Sequence, residues 1–385
     1  MYWPVMYWNV VAGISFGIWL YLLFGRGGYW RETIQPKAPE PQSWPDIVAI
    51  VPARNEASGV GDALGSLLVQ DYPGSFSVVL VDDHSDDGTA DIARRAAAAA
   101  GAEDRLTVVQ AKTLPPGWTG KLWAMSQGVK AVDRGDRRPD LILFTDADIV
   151  HHRTNLRELA ARIAEGNDLV SLMVRLRCES FAERLMVPAF VYFFAMLYPF
   201  AWIRDRKNRM SGAAGGCMLL RRDALKRIGG IDAIRDEIID DCALGRAVKR
   251  GGKIWLGLTT ETRSLRAYPV LGDIWRMVAR TAYAQLNYSP FLLLGTVVGL
   301  ALTFLAPVAA VACGGDAAPL GLAAWAMMAV SYLPVLRLYG RSPVFAPLLP
   351  VIALIYMGAM IDSARRHWQG KGGEWKGRVQ QRGRA

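Results

Sequence analysis

Long apolar stretches at both ends of the 385-residue chain constrain its fold more than any other feature. The first, Val5–Phe24, contains no charged residue and is long enough to cross a bilayer as a helix. Three further stretches of comparable length lie toward the C terminus: Pro290–Cys313, Leu320–Leu336 and Val344–Ile361. The sequence therefore predicts an N-terminal anchor at 1–30 and membrane helices at 290–362, with a polar domain between them.

The first stretch is expected to be an uncleaved anchor, because no basic residues precede it and no clear small-residue cleavage site follows it. Arg26 and Arg31 place its C-terminal end in the cytoplasm, together with the polar domain. The basic tail, 363–385, is also expected to be cytoplasmic. Four complete spans would put that tail outside. The last apolar stretch contains Pro347 and Pro350 and directly follows Pro343, so it is the best candidate for a re-entrant or interfacial segment, unless the first stretch does not span.

The formal net charge of +10 indicates an anionic partner, and much of the excess lies in the tail. No nucleic-acid-binding motif accompanies this charge, so we expect contact with anionic lipids and none with nucleic acid. The sequence predicts a multi-pass protein of the cytoplasmic (inner) membrane, with its polar domain facing the cytoplasm.

The polar domain follows a proline-rich linker at 31–45 and begins with alternating strands and helices. Its pattern predicts two β–turn–helix units followed by a strand, which is half of a doubly wound α/β sheet. The predicted strands are 46–53, 77–81 and 105–110, and the predicted helices are 60–69 and 90–100.

A further strand is predicted at Leu141–Asp148, where the sequence LILFTDAD ends in two carboxylates. On an extended chain, Asp146 and Asp148 would point to the same side, at the sheet edge where α/β proteins bind ligands. Two hard oxygen donors suit Mg²⁺ or Mn²⁺, whose coordination a diphosphate would complete. An acidic turn is the alternative. His151 and His152 follow closely, but adjacent loop histidines more often face solvent.

Four motifs in this order resemble the donor half of family 2 glycosyltransferases, over roughly residues 45–270. They are VPARNE at 51–56, VDDHSDDGT at 81–89, GWTGKLWA at 117–124 and FTDAD at 144–148. The resemblance implies a GT-A fold, in which helices flank a Rossmann-like mixed α/β sheet, over residues 46–270. It also implies a nucleotide-diphospho-sugar donor, with UDP as the usual carrier.

Several donor-site residues follow from this resemblance. Asp83 would bind the nucleotide base, with Pro52 and Glu56 against the nucleoside. Asp82 would share that role or cap a turn. The segment Asp86–Gly88 has the chemistry of a turn and a helix N-cap instead.

The diphosphate and the acceptor would meet a second group of residues. Lys121 matches a family lysine that reaches the diphosphate, although a solvated lysine is the alternative. Gly215 and Gly216 would line the sugar and acceptor site, where glycine lets backbone approach substrate closely. Arg280 would neutralise the leaving diphosphate or meet lipid headgroups. Around Arg280 the stretch WRMVART departs from the Q/R-x-x-R-W motif of processive members.

The paired carboxylates Asp240 and Asp241 lie at the predicted start of a helix, where the helix dipole favours negative charge. The family has a Glu-Asp pair here whose second carboxylate is the general base. The resemblance therefore implies that Asp241 is the base and Asp240 its neighbour.

Two apolar segments are predicted to lie at the membrane surface. Residues 186–203 are expected to form an interfacial helix, since a span there would separate the motifs across the membrane. Residues 271–289 form a second interfacial segment.

The expected activity is inverting transfer of a sugar to a membrane lipid. The order of segments resembles glycosyltransferases associated with hopanoid biosynthesis and ceramide-glucosyltransferase-like enzymes. A processive polysaccharide synthase and a non-catalytic membrane scaffold remain the alternatives.

Overall fold

The computed structural model describes residues 3–135, 138–375 and 378–379. They form two compact units. The first, here called the sheet unit, consists mainly of Ile34–Arg177 and Trp202–Ala267. The second, the helical unit, consists of the residues up to Thr33 together with Cys178–Ala201 and Tyr268–Gly372.

The sheet unit is built around one eight-stranded sheet in the order β3-β2-β1-β4-β7-β6-β8-β5. Strands β1 to β4 are mutually parallel, and β7 pairs antiparallel with β4 and β6. The sheet is therefore mixed and flanked by helices, as the α/β prediction required. The strands are β1 (Ile47–Ala53), β2 (Phe76–Asp82), β3 (Leu106–Gln110), β4 (Leu141–Thr145), β5 (Ile149–Val150), β6 (Leu169–Arg175), β7 (Cys217–Arg221) and β8 (Ile254–Ser264), followed by a short hairpin of β9 (Glu374–Trp375) and β10 (Arg378–Val379).

Strand β1 is buried along its whole length, as expected for a central parallel strand covered by helices on both faces. It pairs with β2 on one side and β4 on the other, so the carboxyl ends of these strands share one edge of the sheet. That edge carries the predicted donor-site motifs.

The helices alternate with these strands and continue through the helical unit. They are α1 (Trp3–Leu20), α2 (Val60–Leu68), α3 (Thr89–Ala99), α4 (Gly120–Arg134), α5 (Asn155–Ala164), α6 (Phe181–Leu197), α7 (Phe200–Arg204), α8 (Arg222–Arg227), α9 (Asp240–Lys249), α10 (Leu271–Gln285), α11 (Pro290–Leu300), α12 (Ala306–Cys313), α13 (Ala317–Leu338) and α14 (Leu349–Trp368). A π-helical turn joins α11 to α12, and a 3₁₀ turn at Pro343–Leu348 precedes α14.

Four helices in the described residues are long and apolar enough to cross a membrane. They correspond to the four apolar stretches of the sequence and are Tyr7–Gly25, Pro290–Cys313, Ala317–Leu338 and Pro343–Trp368. Their exposed faces carry large apolar side chains, including Phe24, Phe291 and Val344.

The predicted interfacial helix at 186–203 has different limits in the structure. Helix α6 begins at Phe181 because Ser180 and Glu183 form a capping box, and it ends at Leu197, before Pro199. Tyr192 on this helix shares hydrogen bonds with Tyr29 and Ser331. The segment therefore packs within the helical unit, whereas the sequence had assigned it to the catalytic domain.

The last helix also extends beyond its predicted end at 362. Asp362 accepts hydrogen bonds from Arg365 and Arg366 one turn later, and these pairs support continuation to Trp368. Asp362 also accepts from the indole of Trp275 on α10 at 2.9 Å. The predicted tail, 363–385, therefore begins as helix, and residues 376–377 and 380–385 lie outside the described residues.

Close packing of α4 on β1 and β2 predicts a specific stability defect. A Cβ at Gly128 would lie 2.5 Å from Cγ2 of Ile50 and 3.1 Å from Cγ2 of Val81. We expect Gly128→Ala to destabilise the sheet unit by about 1–3 kcal/mol, measured as a lower apparent Tm in detergent. Gly65→Ala on α2, where no atom lies within 4 Å of the added Cβ, is the matched control and should not lower Tm. Equal effects of the two changes would contradict the packing argument.

Candidate active site

The two carboxylates of the FTDAD motif lie in a turn and not on an extended strand. Strand β4 ends at Thr145, and the N–H of Ile149 donates to the carbonyl of Asp146 at 3.3 Å. Asp146 and Asp148 therefore do not alternate along a strand, and the predicted strand to Asp148 was wrong. The turn directs the two carboxylates to different cationic partners.

Lys121 connects the first of these carboxylates to the carboxylate pair Asp240 and Asp241, which contains the predicted general base. Its ammonium nitrogen lies 2.9 Å from Oδ1 of Asp146 and 3.1 Å from Oδ2 of Asp240. The lysine is the second residue of α4, inside the helix and not in the preceding loop. The N–H of Thr119, just before the helix, donates to the carbonyl of Arg235 and fixes the start of α4 near the loop that leads into α9.

Asp241 lies beside this ion-pair network at the start of α9. Its Oδ2 accepts a hydrogen bond from the N–H of Gly215 at 2.8 Å, and its Oδ1 accepts from the N–H of Cys242. A Cβ at position 215 would lie 3.2 Å from that Oδ2 and 3.4 Å from Nζ of Lys121. Gly215 is thus the point where the backbone approaches both charged groups.

Gly216 has a packing role and a backbone role next to the same cluster. A side chain there would collide with Val174, since a Cβ would lie 2.9 Å from its Cγ2. The carbonyl of Gly216 accepts a hydrogen bond from the hydroxyl of Thr145 at 2.7 Å. This bond ties the glycine-rich loop to the end of β4.

The pKa values of the cluster follow from burial and from neighbouring charge. Burial and the adjacent Asp240 carboxylate raise the pKa of Asp241 from 3.8 to about 6, against the lowering influence of Lys121 and two backbone N–H groups. Burial alone would lower the pKa of Lys121. The carboxylates of Asp146, Asp240 and Asp241 outweigh it and hold that pKa well above its ordinary value. The lysine is therefore a permanent cation, and Asp241 titrates close to neutral pH.

Asp148 belongs to a second network, formed with residues that sequence reasoning missed. Its Oδ2 accepts from the hydroxyl of Ser264 at 3.0 Å and from Nε of Arg266 at 3.1 Å. Nη2 of the same guanidinium donates to Oε1 of Glu56 at 2.9 Å. Ser264 ends β8 and Arg266 follows it, with no local motif to mark either residue.

The predicted nucleoside side of the site contains a fully buried carboxylate. Asp83 has no exposed surface, and Oδ2 of its side chain lies 3.8 Å from Nη1 of Arg54. Oδ1 of Asp82 accepts the N–H of Ser85 at 3.2 Å, which corresponds to the turn-capping alternative. Pro52 is buried in β1. The same edge of the sheet thus holds Asp83, Pro52 and the Glu56 loop.

Two neighbouring predictions have clear outcomes. Asp87 accepts the N–H groups of Ala57 and Thr89, and Gly88 is the N-cap residue of α3, so the turn and N-cap roles are confirmed. The expectation that His151 faces solvent was wrong. This side chain is buried, with Nε2 3.0 Å from the hydroxyl of Thr145, and burial lowers its pKa to about 3. It is a neutral core residue.

Arg280 lies on α10 and is exposed. It belongs to the helical unit, whereas the cluster described above consists entirely of residues from the sheet unit.

The donor set of Asp146 and Asp148 fits a divalent cation. Each carboxylate uses one named oxygen for its cationic partner, Oδ1 of Asp146 and Oδ2 of Asp148, which leaves the other oxygen of each. In the contacts described above, Lys121 and Arg266 bridge four carboxylates, and Asp241 adds a fifth beside them. A negatively charged diphosphate needs further positive charge to bind there, and Mg²⁺ or Mn²⁺ with oxygen ligands would supply it.

Among the described residues, one group of three side chains that could hold a metal ion lies away from Asp146 and Asp148. It consists of His152, Glu158 and Glu261, which are partly exposed. Glu158 already pairs with Lys37 at 2.7 Å.

Comparison with solved structures shows that most of the chain is similar in structure to a known glycosyltransferase. A mannosyltransferase, PcManGT, from Pyrobaculum calidifontis, solved in complex with GDP-Man and Mn²⁺, is 21% identical and has a TM-score of 0.60. The match covers 92% of this chain and 98% of that one. Glucosyl-3-phosphoglycerate synthase from Mycobacterium tuberculosis, in complex with Mg²⁺ and UDP, is 19% identical over 63% of this chain and 79% of its own, with a TM-score of 0.41. No relative is found among curated protein sequences.

The similarity to PcManGT establishes a common GT-A fold, and the sequence establishes the family. The family model described as "Glycosyltransferase like family 2" matches residues 45–282, which is more than half of the chain. The protein therefore belongs to glycosyltransferase family 2.

Proposed function

We propose that this glycosyltransferase moves a sugar, with inversion, from a nucleotide-diphospho-sugar to a lipid acceptor in the cytoplasmic membrane. The observation that carries the proposal is the position of Lys121, within 3.1 Å of both Asp146 and Asp240. A single cation links a residue proposed to hold the donor metal to the carboxylate pair proposed to act on the acceptor. Donor and acceptor groups within one cluster are what a one-step displacement needs.

On the donor side, the proposed roles are those that the resemblance to the family implies. Asp83 would accept an N–H of the nucleotide base, with Pro52 and Glu56 against the nucleoside and Asp82 holding the turn. Asp146 and Asp148 would hold Mg²⁺ or Mn²⁺, which supplies charge neutralisation for the departing nucleoside diphosphate. Lys121 would add a cation to the same diphosphate.

On the acceptor side, Asp241 would remove the proton from the acceptor hydroxyl as its oxygen attacks the anomeric carbon. The raised pKa suits a base that works near neutral pH. Asp240 contributes by its charge, which favours protonation of its neighbour, and Gly215 and Gly216 keep side chains out of the space beside it. Arg280 remains a proposed phosphate ligand.

A lipid acceptor is supported by the four apolar helices that accompany the sheet unit in one chain. Such an acceptor would reach the site from the bilayer, and basic residues in the tail would bind anionic lipid headgroups. The motif order favours a hopanoid-like or ceramide-like lipid. For the donor we favour a UDP-sugar, and the GDP-Man bound to PcManGT makes a GDP-sugar the second choice.

We also propose that the chain crosses the membrane three times and that its last apolar segment is re-entrant. Support comes from the indole N–H of Trp325, which donates to the carbonyl of Pro347 at 3.0 Å. Trp325 lies thirteen residues, or about 20 Å, before the end of α13 at Leu338. The chain would therefore descend deep into the bilayer between Leu338 and Pro347.

Helix α14 would then return to the side from which the segment entered. Its C-terminal residue His367 stacks on Tyr288, which precedes the Pro290–Cys313 span, with ring centroids 4.3 Å apart. Met360 and Ala364 share a buried cluster with Leu293, near the start of that span. Under this proposal the basic tail is cytoplasmic, which removes the conflict between four apolar stretches and the charge distribution.

The function is tested by supplying radiolabelled UDP- and GDP-sugars to purified protein in native lipid extract, with and without Mn²⁺. We expect an organic-extractable, metal-dependent product. An insoluble polymer would favour a polysaccharide synthase. Nucleotide binding without transfer to any lipid would favour a scaffold.

Asp148→Ala should weaken Mn²⁺ binding. Loss of a residue that only orients a metal ligand weakens binding by roughly 10–100-fold, and loss of the ligand itself should weaken it by more.

The base assignment predicts a particular pH dependence. Because only ionised Asp241 can accept a proton, kcat/KM should rise with pH through about 6. Asp241→Asn should bind donor normally and lose transfer by on the order of 10²–10⁴-fold. Asp240→Asn removes a neighbouring negative charge, so the rise should move to lower pH. An unchanged profile in Asp240→Asn, or parallel loss of donor binding in Asp241→Asn, would count against this assignment.

The re-entrant segment can be tested by labelling introduced cysteines with an impermeant maleimide in intact cells. In a Cys313→Ser background, a cysteine at position 316 should be labelled from outside, and cysteines at 341 and 371 should be labelled only after permeabilisation. Position 341 is the matched control for 371, because the proposal places both on the cytoplasmic side. External labelling of position 371 alone would establish four complete spans.

A further inference from the structure

The guanidinium of Arg266 occupies a position that none of the proposed roles explains. It lies between Asp148, in the turn after β4, and Glu56, in the loop after β1. These two strands are hydrogen-bonded neighbours, so their carboxyl ends lie side by side at the ligand-binding edge. Arg266 therefore lies between the proposed nucleoside loop and the proposed metal ligand, where the diphosphate of a donor would run.

The contacts of Arg266 suggest a cation that is now paired with carboxylates and could bind a phosphate group instead. Two carboxylates accept from Nε and Nη2, at 3.1 Å and 2.9 Å, so the guanidinium now neutralises groups that a metal and a nucleotide would otherwise meet. Its side chain is still 36% exposed, which leaves it accessible to an incoming ligand. Guanidinium groups bind phosphate oxygens through the same paired N–H geometry that they use for carboxylates.

We propose that Arg266 is a donor-binding residue that exchanges partners: it holds Asp148 in the donor-free protein and moves to the donor diphosphate when a divalent cation takes Asp148. This inference rests on the function proposed above and adds a residue to its donor site. Ser264 supports the exchange, because its hydroxyl also donates to Oδ2 of Asp148 and can keep that carboxylate oriented after the arginine leaves.

The exchange has a direct thermodynamic consequence for metal binding. A divalent cation that binds the other oxygen of Asp148 without a nucleotide is repelled by a like charge that lies about 3 Å from Oδ2 of the same carboxylate. Removing that charge should therefore strengthen metal binding in the absence of donor. A residue that only oriented Asp148 would have the opposite effect, since its loss would weaken metal binding.

The test measures Mn²⁺ binding to the full-length protein in detergent by electron paramagnetic resonance, without nucleotide. We expect Arg266→Gln to bind Mn²⁺ about tenfold more tightly than the unmodified protein. Arg263→Gln is the matched control, since it removes the same charge from an exposed position on β8 three residues away and should leave the affinity unchanged. Arg266→Lys keeps the charge but can contact only one carboxylate at a time. Its affinity for Mn²⁺ should therefore lie between those of the unmodified protein and Arg266→Gln.

A second measurement uses UDP and GDP as probes with saturating Mn²⁺. Arg266→Gln should then bind the nucleoside diphosphates about tenfold more weakly, while Arg263→Gln binds them normally. Unchanged or weaker Mn²⁺ binding in Arg266→Gln would overturn the proposal, as would unchanged nucleotide binding. Asp148→Ala separates this failure from failure of the proposed function. If that variant binds Mn²⁺ as well as the unmodified protein, the metal assignment itself is wrong.

Discussion

The candidate site depends on an imbalance of charge at the carboxyl edge of the sheet. In the two networks described above, Lys121 and Arg266 each bridge two carboxylates, and Asp241 lies beside them as a fifth. Lys121 joins the turn after β4 to the start of α9, and Arg266 joins the same turn to the loop after β1. The uncompensated negative charge explains why the proposed chemistry needs a divalent ion. Burial, together with the adjacent Asp240 carboxylate, raises the pKa of Asp241 to about 6.

The residues proposed to bind donor and acceptor lie on different parts of the sheet unit. Asp83 and Glu56 belong to loops after the parallel strands β1 and β2, whereas Gly215 and Asp241 belong to elements around the antiparallel strand β7. The change from parallel to antiparallel pairing occurs at β4, the strand that leads into Asp146. The proposed metal ligand Asp146 therefore follows the strand at which the sheet changes from parallel to antiparallel pairing.

The sequence predicted the elements of this arrangement better than their contacts. Hydrophobic pattern located β1, β2, β3, α2 and α3 to within a residue or so, because buried parallel strands and amphipathic helices have distinct periods. It extended β4 too far, since Asp146 and Asp148 were treated as strand residues although aspartate favours turns.

The missed contacts were those between residues far apart in sequence. Arg266 is 118 residues from Asp148 and 210 residues from Glu56, and no local spacing indicates such a pairing. His151 was misjudged because a loop position says nothing about the depth at which the loop lies; only the folded chain places its ring between Thr145 and Asn155. The motifs did identify Lys121, Asp240, Asp241 and Gly215, and the structure brings these four together.

The hydroxyl of Thr145 has a consequence for how sequences of this kind can vary. It donates to the carbonyl of Gly216 and lies 3.0 Å from Nε2 of His151. One atom therefore connects the last residue of β4 both to the glycine-rich loop and to a buried histidine. Valine has nearly the same shape but would leave that partly buried carbonyl without this donor. Serine would keep the bond. The residue before the first aspartate of the FTDAD motif is therefore restricted by hydrogen bonding, although its side chain has no part in the proposed chemistry.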